Sequence, residues 1–265
     1  SVTHTAKVWL NGQLIAQHKG GFTPFEADVT ALLRPGETVL LTVACDNRVN
    51  HSTLPVGNED GQLAFFGSDN AGIPSVEAAK RAAAPQNRPN FDFFNYAGIH
   101  RPVWLYTTPK EYIEDVTVVP AVDGTVQYAV KTTGSAPVHV TVLDADGNIV
   151  ASAEGAEGTI TIPEVHLWEP RPGTPYLYAL HVTCGADVYD QTFGVRSIEM
   201  RGAQVLLNGK PLYFKGFCKH EDFTAHGRGF DPVLNVKDVN LIHWANANAV
   251  RTSHYPYAEE FYDLC

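Results

Sequence analysis

The sequence predicts a multidomain chain: two successive β-sandwiches, followed by the first strands of a parallel βα barrel. Three observations support this fold class. Residues 1–110 contain short apolar runs separated by turn residues, as in a sandwich or jelly roll. Residues 112–200 form a second strand-rich block of the size of an immunoglobulin-like sandwich. After residue 201 a strand, a helix and a strand follow within about 40 residues, as in a βαβ unit.

In the first block, the turn pair Asn11-Gly12 separates apolar runs at residues 7–10 and 13–16. Asparagine followed by glycine is the strongest short signal for a type I′ hairpin turn. Further strands are predicted at residues 39–43 and 103–106. The connection at residues 57–90, which includes an alanine-rich helical patch, is long enough to suggest a functional or mobile segment.

The second block alternates apolar and polar residues clearly. A strand is predicted over Val138–Leu143, a turn at residues 144–147, and further strands from Ile149 and over residues 176–182.

The last block begins with a predicted hairpin at residues 205–214. An amphipathic helix is predicted from Val236 to about Ala247, with an apolar stripe and with Asn235 and Asp238 as a capping box. A short buried strand is predicted at residues 248–251. We interpret this block as the opening of a parallel barrel that continues past Cys265.

The bulk composition narrows the classes of protein. The chain has 265 residues, which at about 100–200 residues per domain corresponds to two domains or slightly more. Hydrophobic residues make up 44%, so a normal core can form. The net charge of −10 argues against nucleic acid or an anionic membrane as partner, because both attract basic surfaces. No apolar segment approaches the length of a transmembrane helix.

The four cysteines are scattered and form no C-x-x-C pair: Cys45, Cys184, Cys218 and Cys265. This spacing is a poor zinc or redox signature and a thin disulfide framework for a chain of this length. We therefore expect a reduced compartment. As a separate expectation, the protein uses no cofactor.

Candidate site residues follow the two predicted barrel strands. In a βα barrel the carboxyl ends of the strands face the active site, and consecutive strands are usually neighbours. His220 follows the first strand, and Arg251, Ser253 and His254 lie at the end of the second. They should therefore converge on a pocket suited to a polyhydroxylated ligand. An equally weighted alternative is a core histidine pair with Arg251 tied to a buried carboxylate.

Two further clusters carry weaker signals. His220, Glu221, Asp222 and His226 are close in sequence but lack a metal-binding spacing, so a metal site is disfavoured. Residues 92–101 interleave aromatic rings with Asp92 and an asparagine, as on a sugar-contact surface, although an ordinary strand entry is the favoured interpretation of that pattern.

Glycoside hydrolysis usually requires two carboxylates about 5–10 Å apart. Glu259 and Glu260 qualify by residue type only, since they begin a predicted helix, where acidic side chains favour the dipole. Neither is assigned a catalytic role.

The end of the chain resembles the first signature of glycoside hydrolase family 2. The resemblance rests on residues 248–256 followed by Phe261 and Tyr262, and it breaks off inside the motif at Cys265. Within that family the sequence is most similar to bacterial β-glucuronidases. The similarity also includes residues 21–30, 93–101, 216–222 and 229–231.

The resemblance implies a jelly-roll sugar-binding domain at residues 1–108 with its start missing, an immunoglobulin-like sandwich at 109–200, and the beginning of a TIM-barrel catalytic domain at 201–265. It implies retaining hydrolysis of β-D-glucuronides by two glutamates, both after Cys265, so this portion alone should be inactive. Asp92 would reach sugar hydroxyls, His220 would line the subsite of the cleaved sugar, and Arg251 and His254 would shape the same pocket.

Alternatives remain open within and outside the family. Another family member could be a β-galactosidase or β-galacturonidase, and the jelly roll with the sandwich could act as a non-catalytic carbohydrate-binding module. The resemblance further implies a homo-oligomer, commonly a tetramer, in the bacterial cytoplasm.

Overall fold

The computed structural model describes residues 1–50, 52–56 and 94–265. The predicted connection at 57–90 and Asp92 lie outside the described residues. The described chain forms two compact units. One unit comprises the described residues within 1–104 together with 216–245 and 250–265, and the other comprises residues 105–215 and 246–249. The domain boundaries expected from the sequence stay a prediction.

The first unit opens with small antiparallel sheets. Its strands are β1 (Val2–Thr3), β2 (Thr5–Leu10), β3 (Gln13–Lys19), β4 (Leu41–Asp46) and β5 (Gly98–Ile99). Strand β2 lies between β3 and β4, and β1 pairs with β5. A 3₁₀ turn spans Thr30–Leu32.

The hairpin turn between β2 and β3 is of the predicted type. Asn11 and Gly12 both have positive φ, +48° and +84°, which a type I′ turn requires at its two central residues. The strand predicted at residues 39–43 is displaced: β4 begins at Leu41, two residues later than expected.

The strand predicted at residues 103–106 was wrong. These residues form no strand, and their side chains are between 60% and 77% exposed. A run of apolar residues favours a strand only where a neighbouring strand and a core accept it, and consecutive exposed side chains show no alternation of buried and exposed positions.

The second unit contains a seven-stranded sandwich. Its strands are β6 (Ile113–Pro120), β7 (Thr125–Thr132), β8 (Val138–Leu143), β9 (Ile149–Glu154), β10 (Glu157–Thr161), β11 (Tyr178–Cys184) and β12 (Asp187–Phe193). One sheet has the order β10-β7-β6 and the other β12-β11-β8-β9. Alternate residues of β7, β8 and β11 point into one shared core, so β8 and the turn after it confirm the prediction.

A three-stranded meander follows in the same unit: β13 (Ile198–Arg201), β14 (Gln204–Leu207) and β15 (Lys210–Leu212). The turn residues Asn208 and Gly209 have φ values of +50° and +74°, which again gives a type I′ hairpin. Asn208 also fixes the hairpin in place, since its side chain accepts from Ser197 N and donates to Trp168 O, both at 3.0 Å.

The remaining elements supply the start of a barrel. They are β16 (Gly216–Lys219), β17 (Asp222–Phe223), β18 (Gly227–Arg228), α1 (Pro232–Trp244), β19 (Ala249–Thr252) and α2 (Glu259–Leu264). Strands β16 and β19 pair in one sheet, with α1 between them along the chain. This is the predicted strand, helix and strand.

Helix α1 begins earlier than predicted, and the capping box at Asn235 and Asp238 was wrong. The N-cap is Asp231, whose carboxylate accepts from Leu234 N at 3.0 Å, and Pro232 takes the first helical position. Asp238 instead forms an ion pair of 2.9 Å with Lys219. Of the predicted apolar stripe only Val239 is buried, while Val236 is 43% exposed. Within the described residues, no helix is both long and apolar enough to cross a membrane.

Candidate functional site

The carboxyl ends of β16 and β19 lie side by side. Asn248 N donates to Lys215 O at 2.8 Å, and Ser253 N donates to Lys219 O at 3.2 Å. From the first bond to the second, the residue numbers rise on both strands, so β16 and β19 run parallel. The residues that follow them therefore meet at one edge, as the sequence predicted.

His220 and His254 come together at this edge. Their ring centroids are 5.6 Å apart, and the rings are nearly perpendicular at 80°. His220 is partly buried, whereas His254 is exposed. One ring is thus held by its surroundings while the other faces solvent, an arrangement that can present imidazole nitrogens to a polar ligand.

Arg251 lies on β19 with its side chain exposed. Its Nη1 donates to Ser253 Oγ at 3.2 Å and lies 4.0 Å from Cys218 Sγ, while Ser253 itself is buried. Among the residues that the structure describes, the buried carboxylate of Glu221 pairs with Arg101 and not with Arg251. Asp92 falls outside the described residues, and the substrate-binding roles of all four predicted residues stay predictions.

A buried ion pair involves Glu221, the residue directly after His220. Arg101 Nη2 is 3.1 Å from Glu221 Oε2, and the two side chains are 13% and 11% exposed. The other carboxylate oxygen, Oε1, accepts from Ala258 N at 2.9 Å. Glu221 therefore has both oxygens engaged in holding the fold, which makes it a poor candidate for proton transfer or nucleophilic attack.

Arg101 also binds backbone from two other segments. Its Nη1 donates to Phe22 O at 2.9 Å, and its Nη2 donates to Pro256 O. A planar guanidinium suits this task because its donors point in several fixed directions. One side chain thus joins the loop after β3, the loop after β16 and the loop after β19.

An aromatic stack lies beside this ion pair. The rings of Phe22 and Tyr255 are 4.3 Å apart and nearly parallel at 13°. The Arg228 guanidinium lies over both rings, 4.9 Å from Phe22 and 4.5 Å from Tyr255, and Arg228 also pairs with Asp222 at 3.0 Å. The Tyr255 hydroxyl accepts from Glu221 N at 2.8 Å. The stack therefore buries charge without leaving it unpaired.

Two buried histidines complete this region. His100 donates from Nε2 to Gly21 O at 2.7 Å, and His4 donates from Nε2 to Asn95 Oδ1 at 2.6 Å. Burial, reinforced by the charges of Arg101 and Arg228, lowers the pKa of His100 to about 3. Burial also lowers the pKa of His4. Both rings are therefore neutral and structural at neutral pH.

The disfavoured metal cluster separates into other pairs. Glu221 binds Arg101, Asp222 binds Arg228, and His226 contacts Asp231 at 3.2 Å. In the part of the chain that the structure describes, no group of three or more His, Cys, Asp or Glu residues is placed to hold a metal ion.

Sequence reasoning missed the ion pair and the stack. Arg101 and Glu221 are 120 residues apart, so neither periodicity nor local spacing links them. The available signal was weak: Glu221 directly follows His220, and Tyr255 directly follows His254.

Comparison with known families covers nearly the entire chain. Three family models match: the sugar-binding domain of glycosyl hydrolases family 2 at residues 1–109, the glycosyl hydrolases family 2 model at 107–196, and the family 2 TIM barrel domain at 198–265. The chain belongs to glycoside hydrolase family 2. The predicted fold class of two sandwiches and the beginning of a TIM barrel is confirmed.

Relatives of this family 2 chain include β-glucuronidases from several organisms. It is 42% identical to β-glucuronidase of Sus scrofa and to that of Paenibacillus borealis, with all of this chain aligned and 42% and 44% of theirs.

Solved structures agree. The Faecalibacterium prausnitzii β-glucuronidase is 96% identical with a TM-score of 0.94, and the Bifidobacterium dentium β-glucuronidase complexed with coumarin-3-O-glucuronide is 49% identical with a TM-score of 0.91. Both comparisons include all of this chain, but only 44% and 47% of the other. The chain thus spans less than half the length of these relatives.

Proposed function

We propose that the protein containing these residues hydrolyses β-D-glucuronides with retention of configuration, using two glutamates located after Cys265. The observation that carries this proposal is the convergence of His220 and His254 at the carboxyl ends of two parallel strands, 5.6 Å apart, in a chain whose relatives are β-glucuronidases. The carboxylate of Glu221, which directly follows His220, is occupied by Arg101 and Ala258 N.

The chemistry of the edge suits a charged sugar. The exposed Arg251 guanidinium can donate paired hydrogen bonds to oxygens, and a carboxylate on the sugar would strengthen them. Imidazole nitrogens of His220 and His254 can donate to or accept from hydroxyls, depending on the tautomer. Asp92 would accept from sugar hydroxyls. These residues bind and orient the glycone, while bond cleavage belongs to the glutamates.

The partner is thus a glucuronide or related β-glycoside. We further propose a homo-oligomer, a tetramer as the resemblance implies, located in the bacterial cytoplasm. Scattered cysteines support a reducing location, since the four thiols are all free. Light scattering and cell fractionation of the full-length protein test these two statements.

The decisive experiment compares substrates on the full-length protein. An aryl β-glucuronide should be cleaved with a much higher kcat/KM than the matching galactoside or galacturonide. A preference for either of the latter would make the protein a family 2 enzyme of different specificity. Binding of sugars without cleavage of any glycoside would favour a carbohydrate-binding module instead.

Residues 1–265 alone should release no aglycone, and turnover by a pure preparation of this portion would contradict the placement of both glutamates after Cys265. Single variants test the site itself. Arg251→Met should lower kcat/KM for the glucuronide by about tenfold to a hundredfold, the equivalent of one lost charged hydrogen bond. His139→Gln is the control, because His139 lies in sandwich strand β8 with a half-exposed side chain.

A further inference from the structure

Four hydrogen bonds tie together the residues that flank the two site histidines. Glu221, directly after His220, donates from its backbone N to the Tyr255 hydroxyl at 2.8 Å and accepts at Oε1 from Ala258 N at 2.9 Å. Arg101 closes the ring by binding both Glu221 Oε2 and Pro256 O. Each bond joins the segment after β16 to the segment after β19, directly or through Arg101.

The side chains of this network are largely buried, so the loss of one hydrogen-bond partner is costly. Arg101 and Glu221 are 13% and 11% exposed in their side chains, and Tyr255 is 6% exposed as a residue. In such surroundings, losing one partner leaves the other charge uncompensated, and the loops must rearrange to solvate it. The rings of His220 and His254 are each one residue from an anchored position, so their separation depends on these bonds.

From this geometry we infer that Arg101 and Glu221 are positioning residues for glycone binding. They set the spacing of His220 and His254 without touching the sugar, so a residue of the first-domain segment tunes the affinity of the barrel edge. This inference rests on the proposed function only in naming a glycone as the ligand.

Graded substitutions separate positioning from mere stability. Arg101→Lys keeps the charge, but a single ammonium cannot reproduce the fork that binds Phe22 O, Pro256 O and Glu221 together. Arg101→Gln removes the charge as well. Glu221→Gln keeps the shape but turns an amide NH₂ toward a donor, either Arg101 or Ala258 N. Leu10→Ala, in the apolar core of β2, is the matched control for lost stability.

The experiment measures kcat and KM of each full-length variant with whichever aryl glycoside the wild-type protein cleaves best. KM should rise in the order wild type, Arg101→Lys, Arg101→Gln, by about tenfold to a hundredfold for the last, with a smaller change in kcat. Glu221→Gln should match Arg101→Gln, and the double variant should be no worse than either single variant, because the two residues act as a unit.

Leu10→Ala should lose thermal stability while keeping the wild-type KM. The inference is overturned if the Arg101 and Glu221 variants melt lower but retain the wild-type KM, or if Leu10→Ala raises KM as much as they do. A wild-type protein that prefers a galactoside would sink the proposed glucuronidase activity, yet the same KM series would still decide the positioning role. If Arg101→Gln fails to fold, Arg101→Lys still decides it.

Discussion

The immunoglobulin-like sandwich and the barrel segment bury their side chains by different chemistry. The sandwich core consists of fourteen buried residues, all of them apolar or aromatic apart from one cysteine. The apolar cluster of the first unit that includes the barrel segment has five buried residues, Phe22, Val239, Tyr255, Tyr257 and Phe261. Next to it lie the Arg101–Glu221 and Arg228–Asp222 ion pairs, whose side chains are at most 15% exposed.

This difference distinguishes the sandwich core from the edge that is proposed to bind sugar. Apolar burial is non-directional, so a sandwich core tolerates small shifts of its side chains as long as the volume is filled. Ion pairs and hydrogen bonds are directional, and they hold backbone segments in one arrangement. The residues proposed to bind sugar lie beside the directional network, where the loops are held by bonds such as Glu221 N to Tyr255 Oη.

The largest effect is expected from breaking the ion pair on one side. Glu221→Leu leaves the Arg101 guanidinium buried without a counter-charge, which should lower the free energy of unfolding by about 3–5 kcal/mol. Urea unfolding measures it, with hydrogen exchange to locate the loss in the loop after β19 and the start of α2. The double variant Arg101→Met/Glu221→Leu is the control and should recover much of the loss. A single variant as stable as the wild type would mean that the pair does not hold this region together.

A truncation in the sandwich core should cost slightly less and act elsewhere. Leu180 is fully buried in β11, so Leu180→Ala should lower the free energy of unfolding by about 3 kcal/mol through lost burial and a residual cavity. Hydrogen exchange should accelerate in β8 and β11. Leu177→Ala is the matched control, because that leucine is 44% exposed just before β11. Equal losses from both variants would contradict the description of an apolar core.

Acid should weaken the region around His100 before it weakens the sandwich core. The pKa of His100 is about 3 in the folded chain and about 6.5 when unfolded. Between these pKa values the unfolded state binds a proton that the folded state does not bind. The free energy of unfolding therefore falls as pH drops from about 6.5 toward about 3, by about 1.4 kcal/mol per pH unit. The stability is fully present above pH 6.5, and His4 contributes in the same direction.

His100→Gln tests this, because glutamine can still donate to Gly21 O and does not titrate. Hydrogen exchange of β1 and β5 at about pH 7 and about pH 5.5 should show a smaller acid loss in the variant. Val8→Ala, a buried core change in β2, should keep the wild-type pH slope at lower stability. An unchanged slope in His100→Gln would mean that another group titrates.

Local patterns predicted the sandwich well and the barrel edge only in outline. Strand β8 follows from the alternation in Val138–Leu143, because that pattern and its partner strands agree. The convergence of His220 and His254 follows from a rule about parallel strands. The strand at residues 103–106 was wrong because apolar residues alone do not supply a partner. The ion pair of Arg101 and Glu221 lies beyond sequence reasoning, since it depends on contacts across 120 residues.

The smallest expected effect concerns the start of α1, where the sequence prediction failed. The Asp231 carboxylate accepts from Leu234 N at 3.0 Å, so Asp231→Ala should lower the free energy of unfolding by about 1 kcal/mol. Asp231→Asn keeps an acceptor oxygen and should lose much less. Asp238→Ala tests the rejected start and should instead release Lys219, its 2.9 Å partner at the end of β16. Hydrogen exchange of the first turn of α1 separates these outcomes, because it should accelerate in Asp231→Ala and stay unchanged in Asp238→Ala. The reverse result would place the helix start at Asn235. It would also contradict the ion pair between Asp238 and Lys219 as the contact that holds the end of β16 against α1.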